Sequence, residues 1–378
     1  MIATDDVVHL AERATLGGLL LAPAHFRQVD TWVRGQDFTD PWHRLAWVAL
    51  READAAARTL DAETLAKDLI ARHGPRVADI VRIHDLLTAV PRDPDPRLHA
   101  RIVVEFGIRR EIASQGVLIE AAAASCAMHL QARPLRTALR IVAAGLLIAG
   151  ERWAEASGES VQHRGDRLPT QLRAAAASLE LRRAADKLLA HAPDLNTRDL
   201  QATEARLVAC LASHPTAITP TLVWLSPDRL VNPPWRTVYM ALGDMAERGQ
   251  CIDPVSLATA VLRTSTTTGC APDAREMAQA VIDEQISVPG QLRRAVAGDH
   301  LRLLARAGAH TLRAGATNPG TPIVDLLDTA TILVQALQQT ASVMPDAPGN
   351  PPITHLTVLG QGAPWRRPGR EHDGPVGR

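Results

Sequence analysis

Apolar residues recur along this chain at helical spacing. Leu16, Leu19 and Leu20 share one face behind an acidic start at Asp5-Asp6, which suits the positive end of a helix. Pro23 ends that helix, and Phe26, Val29 and Val33 mark one face of a short second one. In "DFTDPWHRLAWVAL", residues 37–50, Asp40 followed by Pro41 predicts a third start. The carboxylate accepts from orphan N–H groups, and proline fits the first turn. Asp61 predicts a fourth, carrying Leu65 and Leu69. "VPRDPDP" at 90–96 reads as a loop because its prolines exclude a regular helix. From Leu98 to about residue 157 long Ala-rich helices are expected, broken near Arg133-Pro134. A polar linker at 157–170 precedes an Arg-rich helix of about 20 residues. The tail from about 341, rich in Pro and Gly, is expected to be disordered. The predicted fold class is all-α.

Composition supports that class. Hydrophobic residues make up 46% of the 378, but aromatics only 3%, and the apolar mass is mostly Ala, Leu and Val. Ala and Leu lose little in a helix, whereas strands favour β-branched and aromatic side chains. Basic and acidic residues balance at 41 each, and Lys67 and Lys187 are the two lysines. The Arg and Ala bias is that of a GC-rich genome, and a zero net charge offers no general attraction to phosphate. Cys126, Cys210, Cys251 and Cys270 lack CxxC spacing and read as reduced thiols of a cytoplasmic protein, mostly buried. The start "MIATDDVVHLAER" has no basic region of the kind that begins a signal peptide. The longest apolar run, "IVAAGLLIAG", is too short to span a bilayer, so a soluble protein is expected.

The pattern also repeats. Shifted by 192 residues, Glu12 falls on Glu204, Leu19 on Leu211, Pro23 on Pro215 and Trp32 on Trp224. Pro41 matches Pro233, Arg44 matches Arg236, and Asp61 matches Asp253. With Ala49-Leu50 and Leu65-Ala66 there are 11 ungapped identities over residues 12–69. Composition alone would give roughly four or five. Several mismatches keep the physics: Asp40 becomes Asn232, still a cap, and Ala62 becomes Pro254, again in a first turn. A period this long means domain duplication.

The segments "AERATLGGLLLAP" (11–23), "DFTDPWHRLAWVAL" (37–50), "LDAETLAKDL" (60–69) and "RIVVEFGIRREI" (101–112) resemble, in order and spacing, the N-terminal domain of DnaB-type replicative helicases. The second copy offers "TEARLVACLASHP", "RLVNPPWRTVYMAL", "IDPVSLATAV" and "HLRLLARAG", but Gly17-Gly18 become Ala209-Cys210 and His43 becomes Trp235. The resemblance implies an all-α globule followed by a helical hairpin. In that family the hairpins pair domains into dimers within the collar of a hexameric ring, where primase or loader proteins dock. Copy 1 is accordingly expected at 1–107 with its hairpin at 108–156, and a linker with a helix at 157–200. Copy 2 is expected at 201–299, a second hairpin at 300–340 and the tail at 341–378.

The function this suggests is a non-catalytic assembly or adaptor factor of DNA replication that binds a helicase, primase or loader. The alternatives are a nucleic-acid-binding protein using Arg-rich surfaces, or the regulatory part of a split helicase whose ATPase lies on another chain. Neither Lys67 in "LAKDL" nor Lys187 in "ADKLL" follows a glycine loop, so no P-loop can cradle a triphosphate. The fourteen histidines form no HExxH and no pair at metal-ligand spacing with a nearby acid, so no cofactor or metal is expected. His43 is expected as a partly exposed helix residue and not a general base. "WRRPGR" at 365–370 could touch nucleic acid.

The nine residues singled out are architectural or partner-facing: Glu12, Asp40, Pro41, Arg44 and Asp61, then Glu204, Asn232, Arg236 and Asp253. Because both copies keep Glu and Arg together, ion pairs Glu12–Arg44 and Glu204–Arg236 are expected, with a partner-binding arginine as the rival reading. "VLIEAAAAS" and "IVAAGLLIAG" would leave an apolar face exposed on a free hairpin. Residues 303–337 supply a second hairpin at an effective concentration on the order of millimolar. An intrachain, pseudo-two-fold hairpin pair is therefore expected.

Overall fold

The computed structural model describes residues 4–90 and 95–342. Sixteen α-helices and no strand occur among the described residues. Copy 1 contains α1 (Thr4–Leu21), α2 (Phe26–Asp30), α3 (Pro41–Ala55), α4 (Ala62–His73) and α5 (Ile80–Thr88). Its hairpin is α6 (Pro96–His129) and α7 (Arg133–Ala156). The connecting segment carries α8 (Thr170–Ala177) and α9 (Leu179–His191). Copy 2 contains α10 (Thr197–Ser213), α11 (Ile218–Leu222), α12 (Pro233–Glu247), α13 (Pro254–Thr268) and α14 (Ala274–Asp283). Its hairpin is α15 (Pro289–Thr317) and α16 (Ile323–Ser342).

Helix starts sit where side chains can satisfy the first orphan N–H groups. Asp40 accepts from the Trp42 N–H at 2.7 Å, with Pro41 in the first turn of α3. Asp61 accepts from Thr64 N–H at 2.7 Å to open α4. In copy 2, Asn232 accepts from Trp235 N–H at 3.3 Å, and Asp253 from Val255 and Ser256 N–H at 2.9 and 3.0 Å. Proline follows both residues. A carboxylate at this position also meets the positive end of the helix.

Two details differ from the sequence reading. The Arg-rich segment after the linker is two helices, α8 and α9, because Ser178 turns extended and caps the second through Leu181 N–H. The boundaries at 107/108 and 299/300 fall inside α6 and α15, which run without interruption from each globule into its hairpin. Of the loop expected at 90–96 and the tail expected from 341, residues 91–94 and 343–378, with "WRRPGR", lie outside the described residues, while Pro96 opens α6 and 341–342 end α16.

Two hydrophobic cores form. One comprises α10 to α14 with the start of α15, through residues such as Leu211, Tyr239, Leu242 and Leu257. The other joins copy 1, its hairpin, α9 and the rest of the second hairpin, from Leu16, Trp47 and Ile108 to Leu301, Leu312 and Leu337. Within it α15 lies along α6 and α16 along α7. Small side chains permit the approach. A Cβ at Gly298 would lie 3.0 Å from Ala127 Cα, and one at Gly116 would lie 3.3 Å from Ala309 Cα. The later residue on α6 thus meets the earlier one on α15, so the two helices run antiparallel. Gly17 answers a different approach: a Cβ there would collide with the Leu86 carbonyl oxygen of α5.

Candidate functional site

The chain enters α3 through a turn at residues 38–40, and both copies grip that turn from two sides. In copy 1, Glu12 of α1 is fully buried and accepts from the N–H groups of Thr39 and Asp40, the latter at 3.3 Å. His43 Nδ1 lies 2.7 Å from the same carboxylate. Burial pushes the Glu12 carboxyl up, but the bonds from His43, Thr39 and Asp40 outweigh it and hold the group below its ordinary range. Arg44 Nε donates to the Phe38 carbonyl at 2.6 Å. Copy 2 repeats the grip. Glu204 accepts from Val231 and Asn232 N–H at 3.0 and 2.8 Å, and Arg236 donates to the Leu230 carbonyl at 2.6 Å.

This corrects the expected ion pairs. Neither glutamate is bonded to its arginine: Glu12 pairs with His43 and Glu204 with His300. Glutamate and arginine stay together because they serve one turn from opposite polarities, the carboxylate taking its N–H groups and the guanidinium its carbonyl. His43 is also corrected, since it is only 2% exposed. Its place in copy 2 is taken by Trp235, and the imidazole comes instead from His300 of α15, Nε2 to Glu204 at 2.7 Å. Arg44→Ala is therefore expected to cost about 1–2 kcal/mol, the price of an unpartnered carbonyl, in a chemical denaturation series.

Asp40 does more than cap. It also accepts from Arg82, whose guanidinium lies 4.7 Å from the centroid of the Trp42 ring, while Trp42 Nε1 donates to Val77 O at 2.6 Å. Together these hold α3 against α5 and the segment leading into it. In copy 2, Asn232 Nδ2 reaches Gln201 O of α10 at 3.0 Å. Asp61, Pro41 and Asp253 remain helix-start residues.

A buried charged cluster fixes the first hairpin to copy 1, and sequence reasoning missed it. Arg152 of α7 donates to Asp37, and through Nε to Trp32 O at 2.9 Å. Asp37 also accepts from Arg34 N–H at 2.7 Å, and Gly107 leaves the room, since a Cβ there would collide with Asp37. Glu111 of α6 lies 3.6 Å from both Arg152 and Arg182, the latter on α9. Burial pushes the Glu111 carboxyl up, against the opposing pull of Arg152, Arg182 and Arg34. On another face of α6, Arg109 is 2% exposed and donates to Asn318 O at 2.9 Å and Thr321 O at 2.6 Å. That bond set ties the turn between α15 and α16 to the first hairpin. Apart from the local Arg34–Asp37 bond, the bonded partners are 41 to 212 residues apart in sequence, and no local spacing signals them.

The arrangement is one of two similar helical globules, each gripping the start of its third α-helix, with hairpins that share a core. Residues 7–105 and 197–286, half of the chain, match the model of the DnaB-like helicase N terminal domain. The chain belongs to that family, in two copies, and the family associates it with helicase-dependent DNA replication. No curated protein and no solved structure matches it. Among the described residues no helix is long and apolar enough to cross a membrane.

Proposed function

We propose that this chain is a non-catalytic docking factor of DNA replication, a single-chain counterpart of a paired helicase N-terminal domain that binds a replicative helicase, its primase or its loader. The observation carrying this reading is the meeting of equivalent positions on the two hairpins. Gly116 contacts Ala309, 193 positions on, and α6 and α15 open on prolines the same 193 positions apart. Contacts between equivalent positions are the mark of an isologous, two-fold interface. Three such chains would carry six family domains, enough to match a six-membered collar.

The nucleic-acid reading draws less support. Several arginines are engaged internally: Arg44, Arg109, Arg110, Arg152 and Arg236 all donate to carbonyls of the chain. Salt separates the two. Pull-down of purified helicase, primase and loader from the native host should succeed and persist at raised ionic strength, because apolar docking is little screened. Binding to none of them, or retention only on DNA and lost with salt, would overturn the proposal. The purified chain should also neither hydrolyse ATP nor unwind DNA.

A further inference from the structure

We propose that His9, Glu12 and His43 form a site for one divalent transition-metal ion of the zinc, cobalt or nickel class, in copy 1 alone. One possible ligand atom from each lies within 4.8 Å of the others. His9 and Glu12 are three residues apart on α1 and so share a face, while His43 comes across from α3. The two imidazoles stack with ring centroids 5.0 Å apart. Two imidazoles and a carboxylate suit zinc and its neighbours, which bind such atoms at about 2.0–2.2 Å.

Two of the three ligands are already set. Glu12 and His43 are buried, and the carboxylate is oriented by Thr39 and Asp40 N–H, the kind of outer support that raises the affinity of a metal site. The nearby Arg44 and Arg110 guanidiniums are directed to the Phe38 and Asp37 carbonyls. His9 is exposed and has no protein hydrogen-bond partner among the described residues. Its side chain can swing to close the distance, leaving the remaining coordination positions to water.

The second copy serves as an internal comparison. It keeps the glutamate, because the turn needs an acceptor in either copy. At the two histidine positions it has Gln201 and Trp235. His300 restores one imidazole to Glu204, which shows that holding the turn takes a single histidine and no counterpart of His9. Copy 1 has a second histidine that the turn does not use.

Metal-stripped full-length protein should be titrated with Co2+ and followed by its visible d–d absorption. One ion per chain is expected, displaced by Zn2+. His9→Ala should lower the affinity about tenfold or more while leaving the metal-free melting temperature unchanged. His43→Gln, which keeps a hydrogen bond to Glu12, should lower it likewise, and Gln201→Ala should not. Absence of saturable Co2+ binding, or binding indifferent to His9→Ala, would overturn the proposal.

Discussion

Glu12→Ala should destabilise copy 1 by about 3–5 kcal/mol, and Glu204→Ala should do the same to copy 2. Each alanine removes the acceptor for two backbone N–H groups and an imidazole at once, and both carboxylates are fully buried, so the stranded groups do not face bulk solvent. Glutamine keeps the shape and one acceptor oxygen and is expected to lose less. Because the two glutamates serve separate cores, the losses should be nearly additive in the double variant. Denaturant midpoints of the two single variants measure this. A loss below about 1 kcal/mol in both would mean that the turn is held by its helix caps and arginines instead.

The second large effect is expected at the hairpins. Gly298→Leu places a branched side chain where a bare Cβ would already lie 3.0 Å from the Ala127 backbone, and Gly116→Leu does so at 3.3 Å from Ala309 Cα. Neither neighbour is the end of a flexible side chain, so α6 and α15 must separate. Overpacking of this kind costs about 1–3 kcal/mol for each substitution, and the double variant approaches the larger value at both ends of the seam. The separated hairpins would expose apolar surface, which favours association between chains. Calorimetry with light scattering should therefore show a lowered transition together with a rise in mass above the 40.7 kDa of one chain. An unchanged transition would show that the two helices can part without loss.

Much of this was legible in the chain because it is local. Caps at Asp40, Asp61, Asn232 and Asp253 follow from one residue and the proline or apolar run behind it, and the duplication follows from an offset of 192 residues. The pairing of Glu with Arg in both copies was a true signal read to the wrong contact. Joint retention reports a shared task, and here the task is a backbone turn that both side chains grip without touching each other. The replacement of His43 by Trp235 conceals a kept function: His43 is interior, and its duty in copy 2 passes to His300, which lies 96 residues beyond Glu204. Asp37, Glu111 and Arg152 gave no sign at all, since a buried charge cluster assembled from three helices has no periodicity. The gathering of His9 with Glu12 and His43 had half a signal, the three-residue spacing on α1, and needed α3 to complete it.

If both family domains pair through hairpins of the same chain, Glu120 and Arg313 stay neighbours within each molecule. They form an ion pair at 2.9 Å between α6 and α15, at a partly exposed edge of the seam. Both would be changed to cysteine, with Cys251→Ser removing the exposed native thiol. Equal amounts of normal and 15N-labelled chains would be unfolded together, refolded and joined with a short bis-maleimide. Mass spectrometry of the linked peptides then reads which chains touch. Residues 120 and 313 should be linked only within light or within heavy chains, whereas mixed light–heavy links at this pair would show that the hairpins pair between chains.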